Sequence, residues 1–131
     1  MVVMHAAATR FDLHIPHSRS LKAKRAAIRP IVDGLRHRFR VSVAEVDHHD
    51  QWQRSAIAVA VVAESDGHLR EVLTAVERFV DAAPDVEVLD VETAELVEDH
   101  LPLLVENAGP LLVDQSHDRQ AHRAARVAPS T

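Results

Sequence analysis

Four residues that could ligate a metal ion or transfer protons stand together in the middle of the chain. The segment AEVDHHDQWQR, residues 44–54, places His48 and His49 between Asp47 and Asp50, beside the only tryptophan. Histidine nitrogens and carboxylate oxygens are the ligands of many hydrolytic metal centres. A metal-dependent hydrolase is therefore one function that these four residues allow.

The spacing of these residues nevertheless favours a turn. Adjacent residues of a strand point to opposite faces, so His48 and His49 converge on one ion only if the turn folds them together. A phosphoesterase with a DHH signature also needs further aspartate motifs and a much larger chain. We interpret the segment as a polar hairpin whose Asp and His side chains bond turn amides, and we expect no metal ligands there.

Other catalytic signatures are missing from the sequence. The chain has no cysteine, which excludes thiol nucleophiles, thiolate zinc sites and disulfides. Its three glycines form neither a GxGxxG motif nor a P-loop, and its serines lie in no nucleophile-elbow context. We therefore predict a protein that is not an enzyme and that needs no cofactor.

The charges are distributed unevenly along the chain. Eight Lys or Arg residues fall between Arg19 and Arg40, where Asp33 is the only acid, whereas residues 64–118 hold two cations and fifteen acids. A basic patch on an acidic body attracts and orients an anionic partner. The predicted RNA- or anion-binding residues are Arg19, Lys22, Lys24, Arg25, Arg29, Arg36 and Arg38.

The segment SRSLKAKR, residues 18–25, carries part of this patch at the start of a predicted helix. Cations there oppose the helix macrodipole, so they are unexpected for stability alone, and with the free amides they would form an anion site. The alternative is that the long side chains reach away from the helix end and have no such role. After Trp52 at its start, the third predicted strand has no aromatic residue on which bases could stack, so contacts would be made to the RNA backbone and would depend on salt.

The elements that position these residues follow from hydrophobic periodicity. Strand-like alternation predicts strands over residues 2–15, 41–47, 52–63 and 86–93, and the apolar spacing 7, 4, 3 and 4 from Leu21 to Phe39 predicts a helix. Pro30 lies inside that helix and is expected to kink it or divide it in two. A second helix begins at Ser65 or Asp66 and ends before Pro84. The order is β-α-β-β-α-β, a ferredoxin-like α+β sandwich with two helices on one face of a four-stranded antiparallel sheet.

The third strand, AIAVAVVA at residues 56–63, is apolar on both faces, so the sheet face opposite the helices should be covered. The alternatives are a second copy of the chain, giving a homodimer, or the apolar pieces at 101–105 and 110–113.

We predict one domain over residues 1–97 and a C-terminal extension, 98–131, that is disordered from about Gln115. No apolar stretch approaches the ~20 residues of a membrane span, and the N-terminus lacks a signal-peptide pattern, so we expect a cytoplasmic protein without a membrane partner.

Two blocks of the sequence, LHIPHSRSLKAKR (13–25) and FRVSVAEVDHHDQWQRSAIAVAVV (39–62), closely resemble the YlxP-like family of small bacterial proteins. The resemblance extends over residues 2–97 and implies a ferredoxin-like fold. The family is a domain of unknown function whose gene often lies beside those of translation initiation factor two and ribosome-binding factor A. The resemblance thus implies a link to translation or ribosome maturation, supplies no catalytic residues, and does not cover the extension 98–131. Our leading hypothesis is a non-enzymatic accessory protein that binds RNA or a ribosomal particle through the basic first helix, with a homodimeric protein-interaction module as the alternative.

Overall fold

The computed structural model describes residues 4–96 and arranges them in the predicted order of strands and helices. The elements are β1 (His5–His14), α1 (Leu21–Phe39), β2 (Ser42–Asp47), β3 (Arg54–Ala63), α2 (Asp66–Asp81) and β4 (Glu87–Glu95). The predicted extension 98–131, with its apolar pieces and its disordered end, lies outside the described residues.

The four strands form one antiparallel sheet in the order β2-β3-β1-β4. The first and third strands are therefore central, and β1 pairs with β3 along its whole length, from His5 opposite Ala63 to His14 opposite Arg54. Alternate residues of β1, such as Phe11 and Leu13, are buried in one core together with the apolar residues of both helices. The ferredoxin-like prediction is confirmed.

Helix α1 runs unbroken through Pro30, so the expectation of two short helices is wrong. Pro30 cannot donate a hydrogen bond to the carbonyl of Ala26. Both residues are exposed, so water can reach the carbonyl that lacks its partner. The N-terminus of the helix is capped by Ser20, whose hydroxyl accepts a hydrogen bond from the Ala23 amide at 3.0 Å.

The two helices approach each other closely at Gly34. A Cβ atom at this position would clash with the ring of Phe79, which meets Phe39 edge-to-face with centroids 5.9 Å apart. Gly34 thus allows α1 and α2 to cover the sheet together.

The opposite face of the sheet is left uncovered by residues 4–96. Ala56 is buried, but Ala60 is exposed and Val62 keeps 71% of its surface exposed. The expectation that this face needs a cover therefore stays a prediction, because the described residues include neither a second copy of the chain nor the pieces at 101–105 and 110–113.

Candidate anion-binding site

The hairpin between β2 and β3 and the start of α1 meet around the side chain of Lys24. This lysine is only 1% exposed, and its ammonium group lies between the helix and the hairpin. Its Nζ donates to Glu45 Oε2 at 3.0 Å and to the carbonyls of His48, His49 and Arg54 at 2.8, 3.1 and 3.3 Å. One carboxylate and three backbone carbonyls therefore surround the buried charge.

This arrangement corrects the prediction that Lys24 contacts RNA. An ammonium group has three protons, and acceptors within the protein already take all of them. Spacings of 4, 7 and 11 residues to Ile28, Ile31 and Leu35 place Lys24 on the buried face of α1. That periodicity was the sequence signal that distinguishes Lys24 from the exposed cations around it.

Glu45 completes the same cluster from β2. Burial raises the pKa of its carboxyl, but the hydrogen bond from Ser55 Oγ and the hydrogen bond and charge of Lys24 outweigh that effect and hold the pKa below its usual value. Ser55 itself is fully buried and donates to Glu45 Oε2 at 2.6 Å. The Lys24–Glu45–Ser55 cluster thus joins α1, β2 and β3.

The predicted hairpin is confirmed, with a hairpin loop at residues 48–53. His48 adopts a left-handed backbone conformation with φ of 60°, its amide donates to Asp47 Oδ1 at 2.7 Å, and the Gln51 amide donates to its carbonyl at 3.1 Å. The His49 ring lies 3.1 Å from the Glu45 carbonyl oxygen. Within residues 4–96 no three His, Asp or Glu side chains are grouped so that they could hold a metal ion.

A second set of hydrogen bonds connects the hairpin loop to the residues that precede α1. The Gln53 side-chain amide donates to the carbonyls of Pro16 and Ser18 at 3.3 and 3.1 Å, and the Ile15 amide donates to the Gln53 carbonyl at 2.9 Å. Ser18 Oγ in turn donates to the carbonyl of Ser20, the helix cap. The hairpin loop therefore fixes where α1 begins.

Four of the predicted cations form a line on the exposed flank of α1. Their spacings of 3, 4 and 7 residues confine them to a sector of about 60° around the helix and spread them over about 21 Å along it. We call them the cation row: Lys22, Arg25, Arg29 and Arg36. None of the four forms an ion pair with another residue in the described range 4–96.

An open groove of about 280 Å³ runs beside the cation row, between α1 and β2. Arg25, Arg29 and Arg36 line it, and the acids on its walls are Asp33 and Glu45. The charge of Glu45 is already balanced by Lys24. The groove therefore presents a net positive wall to an anion.

The other predicted cations lie elsewhere. Arg19 is exposed and precedes the helix, while Arg38 lies on the opposite flank of α1, with its guanidinium carbon 5.3 Å from the centre of the Phe79 ring. Arg36 donates from Nη2 to the Val43 carbonyl at 2.8 Å, which fixes one end of the cation row against the edge of the sheet. The structure thus groups four of the seven predicted residues, buries one and separates two.

Known proteins place this sequence in a family. The family profile described as "Protein of unknown function (DUF503)" matches residues 7–93, which include both blocks around Lys24. The chain belongs to the DUF503 family. Uncharacterized protein YlxP of Bacillus subtilis (strain 168) is 35% identical over 68 residues, which are 52% of this chain and 74% of that relative. The YlxP-like resemblance is thereby confirmed.

Solved structures with a similar arrangement include two designed proteins. The de novo designed protein Foldit4 gives a TM-score of 0.45 at 12% identity, over 72% of this chain and 98% of its own. A de novo designed protein with ferredoxin fold gives a TM-score of 0.40 at 7% identity, over 71% of this chain and 84% of its own.

Neither α1 nor α2 of this DUF503 protein has the length and apolar character of a membrane-crossing helix.

Proposed function

We propose that this DUF503 protein is a non-enzymatic accessory protein that binds RNA, with the RNA of a ribosomal particle as its target, and that it acts in translation or ribosome maturation. The observation that supports this proposal is the cation row. Four long basic side chains without ionic partners in the described part of the chain line one flank of a rigid helix, and arginine is well suited to contacts with phosphate.

The expected mode of binding is contact with the RNA backbone. Sequence-specific RNA domains with a four-stranded sheet stack bases on exposed aromatic residues of that sheet. Here Phe11 is buried, Phe39 and Phe79 pack against each other, and Trp52 belongs to the hairpin loop. Affinity in this proposal comes from neutralised phosphates, so it falls steeply as salt is added.

Co-sedimentation with ribosomal subunits across a salt series tests the proposal. The variant Arg25→Gln/Arg29→Gln removes two charges from the cation row, and the control Arg38→Gln/Arg78→Gln removes two exposed charges elsewhere. We expect the first variant to leave the pellet at lower salt than both the control and the unaltered protein. Equal losses in the two variants would show that net charge alone matters, and no co-sedimentation at low salt would refute the proposal.

A further inference from the structure

The sheet face opposite the helices is an exposed apolar surface that the proposed RNA contact does not use. It is formed by alternate residues of the two central strands and of β2, most of them alanines. We call this surface the open face: Ala6, Ala8, Ala44, Ala58, Ala60 and Val62. Its largest side chain, Val62, is 71% exposed.

The two edges of the sheet offer less favourable routes to association than this face does. On β2, the Val43 carbonyl accepts a hydrogen bond from Arg36, and the Glu45 carbonyl is contacted by the ring of His49. The other edge, β4, carries a run of acidic residues that would repel a second copy of itself. A partner that packs on the face meets neither obstacle.

We propose that a second copy of this chain covers the open face, so that two sheets pack face to face in a homodimer. The strand lengths give the sheet an area of roughly 550 Å² per copy, and two copies would bury about 1,100 Å². Specific interfaces bury at least about 1,000 Å², so the area suffices for a dimer at the weak end of the range.

The border of the open face carries charged residues from all four strands. Arg10 contacts Asp12 and Asp47 at 3.3 Å each, and Arg54 lies 4.0 Å from Asp12. Asp90 and Glu92 of β4 lie on the same face, opposite Asp12 and Arg10, so two cations and four acids form a polar, net acidic border around an apolar centre. A face-to-face dimer with β4 of one copy over β2 of the other would keep the two acidic β4 strands apart.

The apolar pieces of the C-terminal extension are too short to cover the whole sheet face with its polar border. Residues 101–105 and 110–113 reach at most about 18 and 14 Å when fully extended. At a strand spacing of about 4.8 Å, the two together would cover roughly 150 Å². The family match also ends at residue 93, before these pieces begin. Five of the six residues of the open face, all except Ala6, lie within the match.

Sedimentation equilibrium of the full chain over a wide concentration range tests the proposal. Ala60→Glu places a carboxylate in the centre of the open face, and Thr74→Glu adds the same charge at an exposed position of α2. We expect a monomer–dimer equilibrium whose dissociation constant rises more than about tenfold in Ala60→Glu and little in Thr74→Glu, because like charges facing each other in an interface are costly. Thermal denaturation at low concentration checks that the Ala60→Glu monomer is folded.

Crosslinking gives an independent readout, because the chain contains no cysteine. Sheets that pack face to face lie about 10 Å apart, so a bis-maleimide of that reach should link two copies of Ala60→Cys and not two copies of Thr74→Cys. A monomer at all concentrations would overturn the proposal. A dimer that Ala60→Glu leaves intact would also overturn it. A monomer of Ala60→Cys whose thiol is protected from maleimide would overturn it too, because the extension would then cover the open face.

Discussion

Replacing Lys24 by methionine should destabilise the fold without affecting the groups that are proposed to bind RNA. Methionine retains much of the volume of the buried chain but removes the ammonium that holds Glu45 and three hairpin carbonyls. Removal of one member of a fully buried ion pair costs about 3–5 kcal/mol. Glu45 keeps the hydrogen bond from Ser55 and is 25% exposed, which lowers the cost to about 2–4 kcal/mol.

Urea denaturation of Lys24→Met beside Lys22→Met measures this difference. Lys22 is exposed two residues away in the same helix, so the same substitution there should change the free energy of unfolding by less than about 0.5 kcal/mol. Amide exchange should also become faster in the hairpin loop of Lys24→Met, because the carbonyls of His48 and His49 lose the hydrogen bonds from Lys24. If the two variants lose the same stability, the structural role assigned to Lys24 is wrong.

Two further predictions concern the packing of the helices and the charge of Glu45. Gly34→Ala should lower the free energy of unfolding by about 1–3 kcal/mol, because the added methyl group meets the ring of Phe79. A methyl group at Gly67 would have nothing within 4 Å, so Gly67→Ala should raise the free energy of unfolding by about 0.5–1 kcal/mol. Thermal melts that rank the two variants the other way would contradict the packing. The pKa of Glu45 is lower in the folded than in the unfolded chain, so its stabilisation is present above its unfolded pKa and disappears as the pH falls through the folded value. The free energy of unfolding should thus fall more between neutral and acidic pH in the unaltered protein than in Glu45→Gln, and parallel pH profiles would argue against the ion pair with Lys24.

Most of the fold follows from sequence periodicity. The alternation of apolar and polar residues predicts β1, and the helical spacing of apolar residues predicts α2, each within a few residues of its observed ends. Both patterns are clear because each element buries one face against a single core. The expected division of α1 at Pro30 is wrong, because Ile28, Ile31 and Leu35 on both sides of it are buried together in the core and hold one continuous helix. The packing of these residues against the sheet is a property of the folded molecule and not of the local sequence.

The candidate site was less accessible to sequence reasoning. A count of cations places Lys24 with Lys22 and Arg25, although the first is buried and the other two are exposed. The helical spacing to Ile28 and Leu35 indicates burial, but the acceptors that make burial tolerable come from the hairpin loop, which is more than 20 residues away in the chain. Only the folded arrangement shows that the two blocks that resemble the YlxP-like family enclose one buried charge.

The salt dependence of RNA binding tests the central claim most directly. Each phosphate contact with single-stranded RNA contributes about −0.7 to the slope of log K against log salt concentration, so the four members of the cation row predict a slope near −3. Fluorescence anisotropy with ribosomal RNA fragments should show that slope decrease in magnitude by about 1.4 in Arg25→Gln/Arg29→Gln and remain nearly unchanged in Arg38→Gln/Arg78→Gln. A slope near zero for the unaltered protein, or equal changes in the two variants, would contradict the account.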